Sequence, residues 1–439
     1  MAKIYITLFI TIFLHNNSFS QTILNLQNCI TILEKQNEDI RQANIDILLS
    51  DLDIKEAKNA YLPTVQLSIG NNYNFGLAFD QVSGQLVTGD KWSNNANAQI
   101  NTRIPIFQGF ILKKNLKNSL LNFKDKEIQK KILTQSLKLE LLSKYFEVIA
   151  NNSLYIVSLE QLSFAKKQLQ QELVKSELFD NTLVDITQAE SQVANSELTS
   201  ILNLTAYTNS LISLKQLLGI SLSDSIALVT PNNLYNTTIS ELLNNTSDYE
   251  EPNIQLAHNS LKKIELELHY EKKTYYPSIF LFSGYGTNYS SERKDYVTGE
   301  DITFFNQLNK NKNFNFGLSL SIPLFDGFKS KNNINRLKLD LNKKQSELKK
   351  IIVENEKIIE FATQELKKSI KEFQVIKVKH SALEKSYLAI YERYKIGVNT
   401  SMDYNKALLE YNISTSNLIR AKYIQMYNEE VIKVLKGYI

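Results

Sequence analysis

Two periods alternate along this chain. From about Leu24 to Tyr61 the apolar residues Ile30, Leu33, Ile40, Ile47, Leu48 and Ile54 recur at spacings of three, four and seven, which predicts one long helix. At Pro63 the period drops to two: Val65, Leu67, Ile69, Tyr73 and Phe75 alternate with Gln66, Ser68, Gly70, Asn72 and Asn74. Beyond a loop with Gly84, Gly89 and Asp90, the residues Ala96, Ala98, Ile100, Ile104 and Ile106 alternate with Asn95, Asn97, Gln99, Asn101 and Arg103. The two runs predict a β-hairpin over about 64–107. After Gly109 the helical period returns, and no Gly or Pro interrupts it before Gly219.

The same order is then written again. Ile104-Pro105-Ile106-Phe107-Gln108-Gly109-Phe110 returns as Ile322-Pro323-Leu324-Phe325-Asp326-Gly327-Phe328, and Tyr61 and Pro63 have counterparts in Tyr275 and Pro277. A second hairpin is predicted over about 278–325. Its first strand is less regular (Ile279, Leu281, Tyr285, Tyr289), whereas in its second strand Phe314, Phe316, Leu318, Leu320, Ile322 and Leu324 alternate cleanly with polar or small residues. Gly397 alone breaks the helical stretch from Phe328 to Lys436 and predicts a turn there. The expected organisation is a segment 1–20, a first repeat over 21–235 and a second over 236–439. The fold is mainly α, with long helices and one hairpin in each repeat.

The strands, at about ten to twelve residues, have the length of tilted membrane-crossing strands. Their polar faces carry Asn, Gln and Ser rather than Lys and Glu. Aromatics gather at both ends: Tyr73, Phe75, Trp92, Tyr285, Tyr289 and Phe314 at one, Tyr61, Phe107, Phe110, Tyr275, Tyr276, Phe325 and Phe328 at the other. A soluble sandwich is the ordinary alternative for such alternation. Four strands cannot close a membrane barrel, which takes about eight, so strands that cross lipid need sister chains; three copies would supply a twelve-stranded wall. The helix from about Ile111 to Lys175 would be roughly 100 Å long and needs equally long neighbours.

Composition removes several other classes. The net charge of +4 is spread over mixed Lys, Glu and Asp, which argues against a nucleic-acid surface. Cys29 is the single cysteine, expected in a buried helix, and His258, His269 and His380 lack metal-ligand spacing. No Gly-rich phosphate loop or Gly-flanked Ser nucleophile is present, so neither catalysis nor a cofactor is expected. Met1-Ala2-Lys3, the apolar run Ile4 to Leu14 and the polar close at Ser20 predict a secretory signal peptide over 1–20. Thr182-Leu183-Val184-Asp185 and Thr400-Ser401-Met402-Asp403 each precede a long helix and read as capping boxes. In a symmetric oligomer the same carboxylates would form a cation-favouring ring. Pro63, Pro105, Pro277 and Pro323 suit abrupt helix-strand joints.

With these residues in view, the chain resembles the TolC family of outer membrane efflux and secretion channels over essentially its whole length after the leader. Leu26-Gln27-Asn28-Cys29-Ile30 resembles the family's first-helix signature, Tyr61-Leu62-Pro63 and Ile104 to Phe110 its joints, and Tyr394-Lys395-Ile396-Gly397 with Asp403 its helical tip. The resemblance implies a homotrimer in the outer membrane, with a twelve-stranded barrel continued by a periplasmic α-helical barrel. It also implies a periplasmic adaptor and an inner membrane RND or ABC transporter as partners. It places the gate at Asp185, Asp403, Tyr394, Gly397 and Asn181, and the joints at Pro63, Pro105, Gly109, Pro277, Pro323 and Gly327. Two positions depart from the family pattern: Lys406 replaces an acidic residue of some members, and Leu178-Phe179-Asp180-Asn181 lacks the tip glycine, leaving Asn181 to take the left-handed position. The rival reading is a secreted or surface-anchored helical scaffold or adhesin without a pore.

Overall fold

The computed structural model describes residues 22–438 apart from 81, 88, 90, 91, 179–182, 231–250 and 296. The expected leader, Thr182 and Asn181 lie outside the described residues. The elements in order are β1 (Thr22–Leu24), α1 (Leu26–Gln36), α2 (Glu38–Asn59), β2 (Thr64–Phe75), β3 (Ala78–Asp80), β4 (Gln85–Val87), β5 (Trp92–Gln108), α3 (Ile111–Leu178) and α4 (Leu183–Leu218). There follow β6 (Ile226–Leu228), α5 (Pro252–Glu271), β7 (Ser278–Ser290), α6 (Phe304–Lys310), β8 (Asn313–Ser321), α7 (Lys329–Lys395) and α8 (Ser401–Leu435).

The chain divides into two compact units, each drawing on both halves of the sequence. The first comprises the described parts of Met1–Ile45, Ile128–Ile254 and Lys350–Ile439. Its core is where helices cross: Cys29, Ile30 and Leu33 of α1, Leu141, Leu142, Tyr145 and Ile149 of α3, Leu214 and Leu218 of α4, and Tyr423 and Met426 of α8 are all buried. Each large aliphatic side chain so buried contributes about 1.5–3 kcal/mol before entropy. Burial also pushes the Cys29 thiol up to about 12, so it stays protonated and unreactive. A two-stranded parallel sheet, β1 with β6, closes this core, and the Tyr145 hydroxyl donates to the Val229 carbonyl at 2.8 Å.

The predicted single first helix is instead two, α1 and α2, broken at Asn37 without Gly or Pro. The Asn37 Oδ1 accepts from the backbone of Asp39 and Ile40, capping α2, while its Nδ2 donates 2.9 Å to the Leu217 carbonyl. Next to that bond Gly219, at φ +70°, brings its Cα so close to α1 that an added Cβ would stand 2.8 Å from the Gln36 carbonyl oxygen.

The second unit, Asp46–Glu127 and Gln255–Lys349, holds an antiparallel sheet in the order β2-β5-β7-β8. The two expected hairpins are present, joined by the β5 to β7 ladder. Two boundaries differ from the sequence reading. Pro105 lies inside β5, at a bulge between Pro105 and Phe107, one position pair past the end of β2, where a missing N–H removes no bond to that strand. The second hairpin stops at Ser321, so Ile322 to Phe325 and Pro323 lie outside the ladder, whereas Gln108 still pairs with Ser278. β5 has neighbours on both sides; β8 has one.

At the far end of the strands the connections are tied together. β3 and β4 form a ribbon in one and α6 occupies the other. Asp80, Ser290 and Gln307 are buried there: the Ser290 hydroxyl donates to the Asp80 carboxylate, and the Gln307 amide exchanges bonds of 2.8 and 3.0 Å with the Ser290 backbone.

Gly219→Ala should lower stability by about 2 kcal/mol or more, from positive φ plus the approach to Gln36. Gly299→Ala shares the positive φ (+69°) but has nothing within 4 Å of the new Cβ. A lower thermal midpoint for the first variant than for the second checks the close packing of α1 on the end of α4.

Candidate functional site

The sheet has two unlike faces. Cross-strand partners put Leu67, Ile100, Tyr285 and Phe314 in one row, with Ile69, Ala98 and Thr287 in the next row on the same side. This apolar side is uncovered: Ile69 is 76% exposed and Phe316 75%. Tyr285 and Phe314 stand rows away from the Phe75–Trp92 pair, so the aromatics expected together at one end do not share a single row of the ladder within one chain.

The other face carries Gln66, Ser68, Asn72, Asn97, Gln99, Asn101, Asn315 and Ser319. Its glycines are seats for neighbours. A Cβ on Gly70 would meet Asn97 Oδ1 at 2.7 Å, on Gly284 Asn315 Oδ1 at 2.7 Å, and on Gly317 the Phe282 ring at 2.7 Å. Phe282 thereby fills the gap of a cross-strand glycine, which explains why β7 breaks simple alternation.

Each hairpin enters its long helix through two consecutive left-handed residues: Gly109 (φ +56°) and Phe110 (+69°), then Gly327 (+65°) and Phe328 (+63°). Left-handed backbone is strained for a phenylalanine. Edge-to-face contacts hold both rings, Phe107–Phe110 at 5.1 Å, Phe110–Tyr276 at 5.5 Å and Phe325–Phe328 at 5.4 Å. At the second joint Asp326 accepts from the Ser330 hydroxyl and backbone and from Tyr275 at 2.9 Å, and these bonds hold its carboxyl at about 2. Pro63 and Pro277 directly precede β2 and β7, as the sequence implied.

Of the expected gate residues, Tyr394, Gly397 and Asp403 fall in the first unit where α7 turns into α8, and Asp185 lies in the first turn of α4 in the same unit. Gly397 (φ +74°) ends α7: its N–H bonds the Tyr394 carbonyl and the Val398 N–H that of Arg393, a left-handed C-terminal cap. Thr400 and Asp403 form the expected capping box, with both reciprocal bonds present. The Thr400 hydroxyl and backbone, and secondarily Lys406, hold the Asp403 carboxyl below its ordinary range. This cap is fully formed above the usual carboxylate range and is lost as pH falls through the lowered value.

Tyr394 is engaged elsewhere. Its hydroxyl donates to Glu172 Oε1 at 3.0 Å, and Lys175 pairs with the same carboxylate at 2.9 Å, although Glu172 is only 3% exposed. Burial first, then the Glu172 and Asp185 carboxylates, push the Tyr394 hydroxyl above the tyrosine range, so it remains a donor. The structure therefore brings Asp185 into the field of Tyr394, while Asp403 is committed to its own helix. Sequence reasoning missed Glu172 and the ring column beside it: Tyr394 stacks on Tyr404 at 5.0 Å, Tyr387 on Tyr411 at 5.1 Å, and buried Tyr404 donates to Gln168 at 2.9 Å. The spacing Tyr387, Tyr391, Tyr394 on one face of α7 was the available signal. Gln188 joins α4 to α8 by accepting 2.7 Å from Ser401.

Among the described residues no cluster of His, Cys, Asp and Glu could hold a metal ion, and no helix is long and apolar enough to cross a membrane.

The fold has solved counterparts. The Campylobacter jejuni CmeC outer membrane channel matches with a TM-score of 0.75 at 16% identity, over 94% of this chain and 85% of that one. VceC, an outer membrane protein from Vibrio cholerae, matches at 0.73 and 12% identity over 94% and 96%. A structure of CusC matches at 0.72 and 14% identity over 96% and 95%. No curated protein matches the sequence. The family model for the outer membrane efflux protein matches residues 30–220 and 243–437, nearly the whole of the described chain, and the protein belongs to that family.

Proposed function

We propose that the protein is the outer membrane exit duct of a tripartite efflux or type I secretion system, built as a homotrimer. One observation carries this reading: a four-stranded sheet with an uncovered apolar face and two unpaired edges, β2 and β8. Lipid offers no hydrogen-bond partner to such an edge, so β2 of one copy pairs with β8 of the next and three copies make twelve strands. Apolar stripes left open on the helices support the same assembly: Ile45, Leu48, Leu49 and Leu52 on α2, and Leu198, Ile201 and Leu202 on α4, are all exposed at helical spacing. The family match in two segments supports two repeats, over 21–235 and 236–439. In this reading the strands lie in the outer membrane and the helices extend the conduit through the periplasm, fed by an adaptor and an RND or ABC pump. A scaffold or adhesin would have no need of an apolar sheet face beside an Asn-rich one.

The tip contacts form the latch of the duct. Tyr394 on α7, tied to Glu172 on α3 and biased by Asp185 on α4, holds three helices in the closed arrangement, with Gly397 and Asp403 shaping the turn between α7 and α8.

The chain should fractionate with the outer membrane and run as a heat-dissociable trimer. Cysteines placed at Gln66 and Ser319, near opposite edges, should yield trimers with a flexible bismaleimide, since Cys29 is buried and does not compete; a periplasmic monomer with no cross-linked species would end the channel reading. Tyr394→Phe and Glu172→Gln each remove a charge-assisted bond of about 1.5–3 kcal/mol and should raise single-channel conductance in planar bilayers. Asp185→Ala with Asp403→Ala should reduce cation preference at the tip, and unchanged selectivity would leave both carboxylates as helix caps.

A further inference from the structure

The four strands of the main sheet contain a single ionised side chain. Across β2, β5, β7 and β8 the polar residues are otherwise Asn, Gln, Ser, Thr and Tyr, and Arg103 stands alone. It lies on the Asn-rich face, opposite Thr64 and Phe282 in the ladder, in line with Asn101 and Gln99. Its guanidinium carbon lies over the Phe280 ring, 3.9 Å from the centroid. Phe280 is an aromatic on the polar side of its strand; a bed for a guanidinium accounts for it. None of the ion pairs among the described residues involves Arg103.

We propose that Arg103 is the charge-selecting residue of the barrel lumen and that it recognises small anionic solutes bearing carboxylate or phosphate groups. The inference rests on the trimeric channel reading. An arginine remains ionised at all working pH values, and its planar fork matches an oxyanion with two parallel bonds. Stacking on Phe280 removes the freedom to fold away, and with no carboxylate paired to it the fork is open to a passing solute. The space over Gly284, the cross-strand partner of Asn101, is taken by the side-chain amides of Asn315 and Gln99, which with Asn101 add neutral donors on the same face. Three copies set one ring of positive charge in a wall of neutral amides, so its field meets no competing charge on the strands. The acidic residues of the tip, Asp185 and Asp403, have the opposite sign, and the duct then has two filters in series.

The test is the reversal potential of the purified trimer in planar bilayers under a KCl gradient, for wild type, Arg103→Lys, Arg103→Gln and Arg103→Glu. Each is also measured with Tyr394→Phe, so that the tip does not dominate. The chloride-to-potassium permeability ratio should fall about three-fold in Arg103→Gln, invert in Arg103→Glu and persist in Arg103→Lys, with all differences shrinking as salt shortens the screening length. A purely structural stack would be disturbed by Lys and Gln alike and would leave the ratio unmoved. An Arg103→Glu channel, or an Arg103→Gln channel should the former fail to assemble, that forms heat-dissociable trimers yet keeps the wild-type ratio overturns the proposal. Failure of the wild-type protein to form any trimer or channel overturns the underlying reading and this one with it.

Discussion

A β-ladder has to end somewhere, and the place where this one ends governs the rest of the molecule. β2 and β8 each leave a row of backbone groups without partners inside the chain. In water such edges are blunted by charge or proline. Here β2 and β8 carry neither, and the side chains beside them on one face are Val65, Leu67, Ile69, Phe316 and Leu318. The same strategy of incompleteness recurs on α2 and α4, whose apolar stripes remain open. Both the sheet and these helices thus carry apolar surface that the single chain leaves uncovered.

The passage from strand to helix is the second constraint. Changing period from two to 3.6 with scarcely any loop requires a sharp reversal of backbone hand, and both copies achieve it with a glycine followed by a strained phenylalanine. Aromatic edges at the joints, together with Lys273 over Phe110 at 4.6 Å, offset that strain. Each joint is thereby pinned by side-chain contacts.

Much of this was legible in the residues, because period is a local property. β2, β5 and β8 follow directly from alternation, and α3, α4, α7 and α8 from long stretches free of Gly and Pro. What was not legible depends on partners far along the chain. Nothing near Asn37 announces a break; the residue becomes a cap because the Leu217 carbonyl waits for its amide. Phe282 looks like an error of alternation until Gly317 is placed across from it. Pro105 suggests the end of a strand, but β7 continues to pair with β5 beyond it. Resemblance pointed to Tyr394, Asp185 and Asp403 at the tip. Glu172, a charged residue within an ordinary Lys- and Glu-rich helix, gave no local sign that it is buried.

The bond between Asp80 and Ser290 joins the two connections at the far end of the strands, one from each half of the sequence. With Asp80 2% exposed, its charge is sealed from water and tolerable only while Ser290 and the turn amides of Val82 and Ser83 are in place. Loss of either partner strands an ion in the interior. The two loops are therefore coupled across the sequence: a change at Asp80 in one half has to be answered by a change at Ser290 in the other.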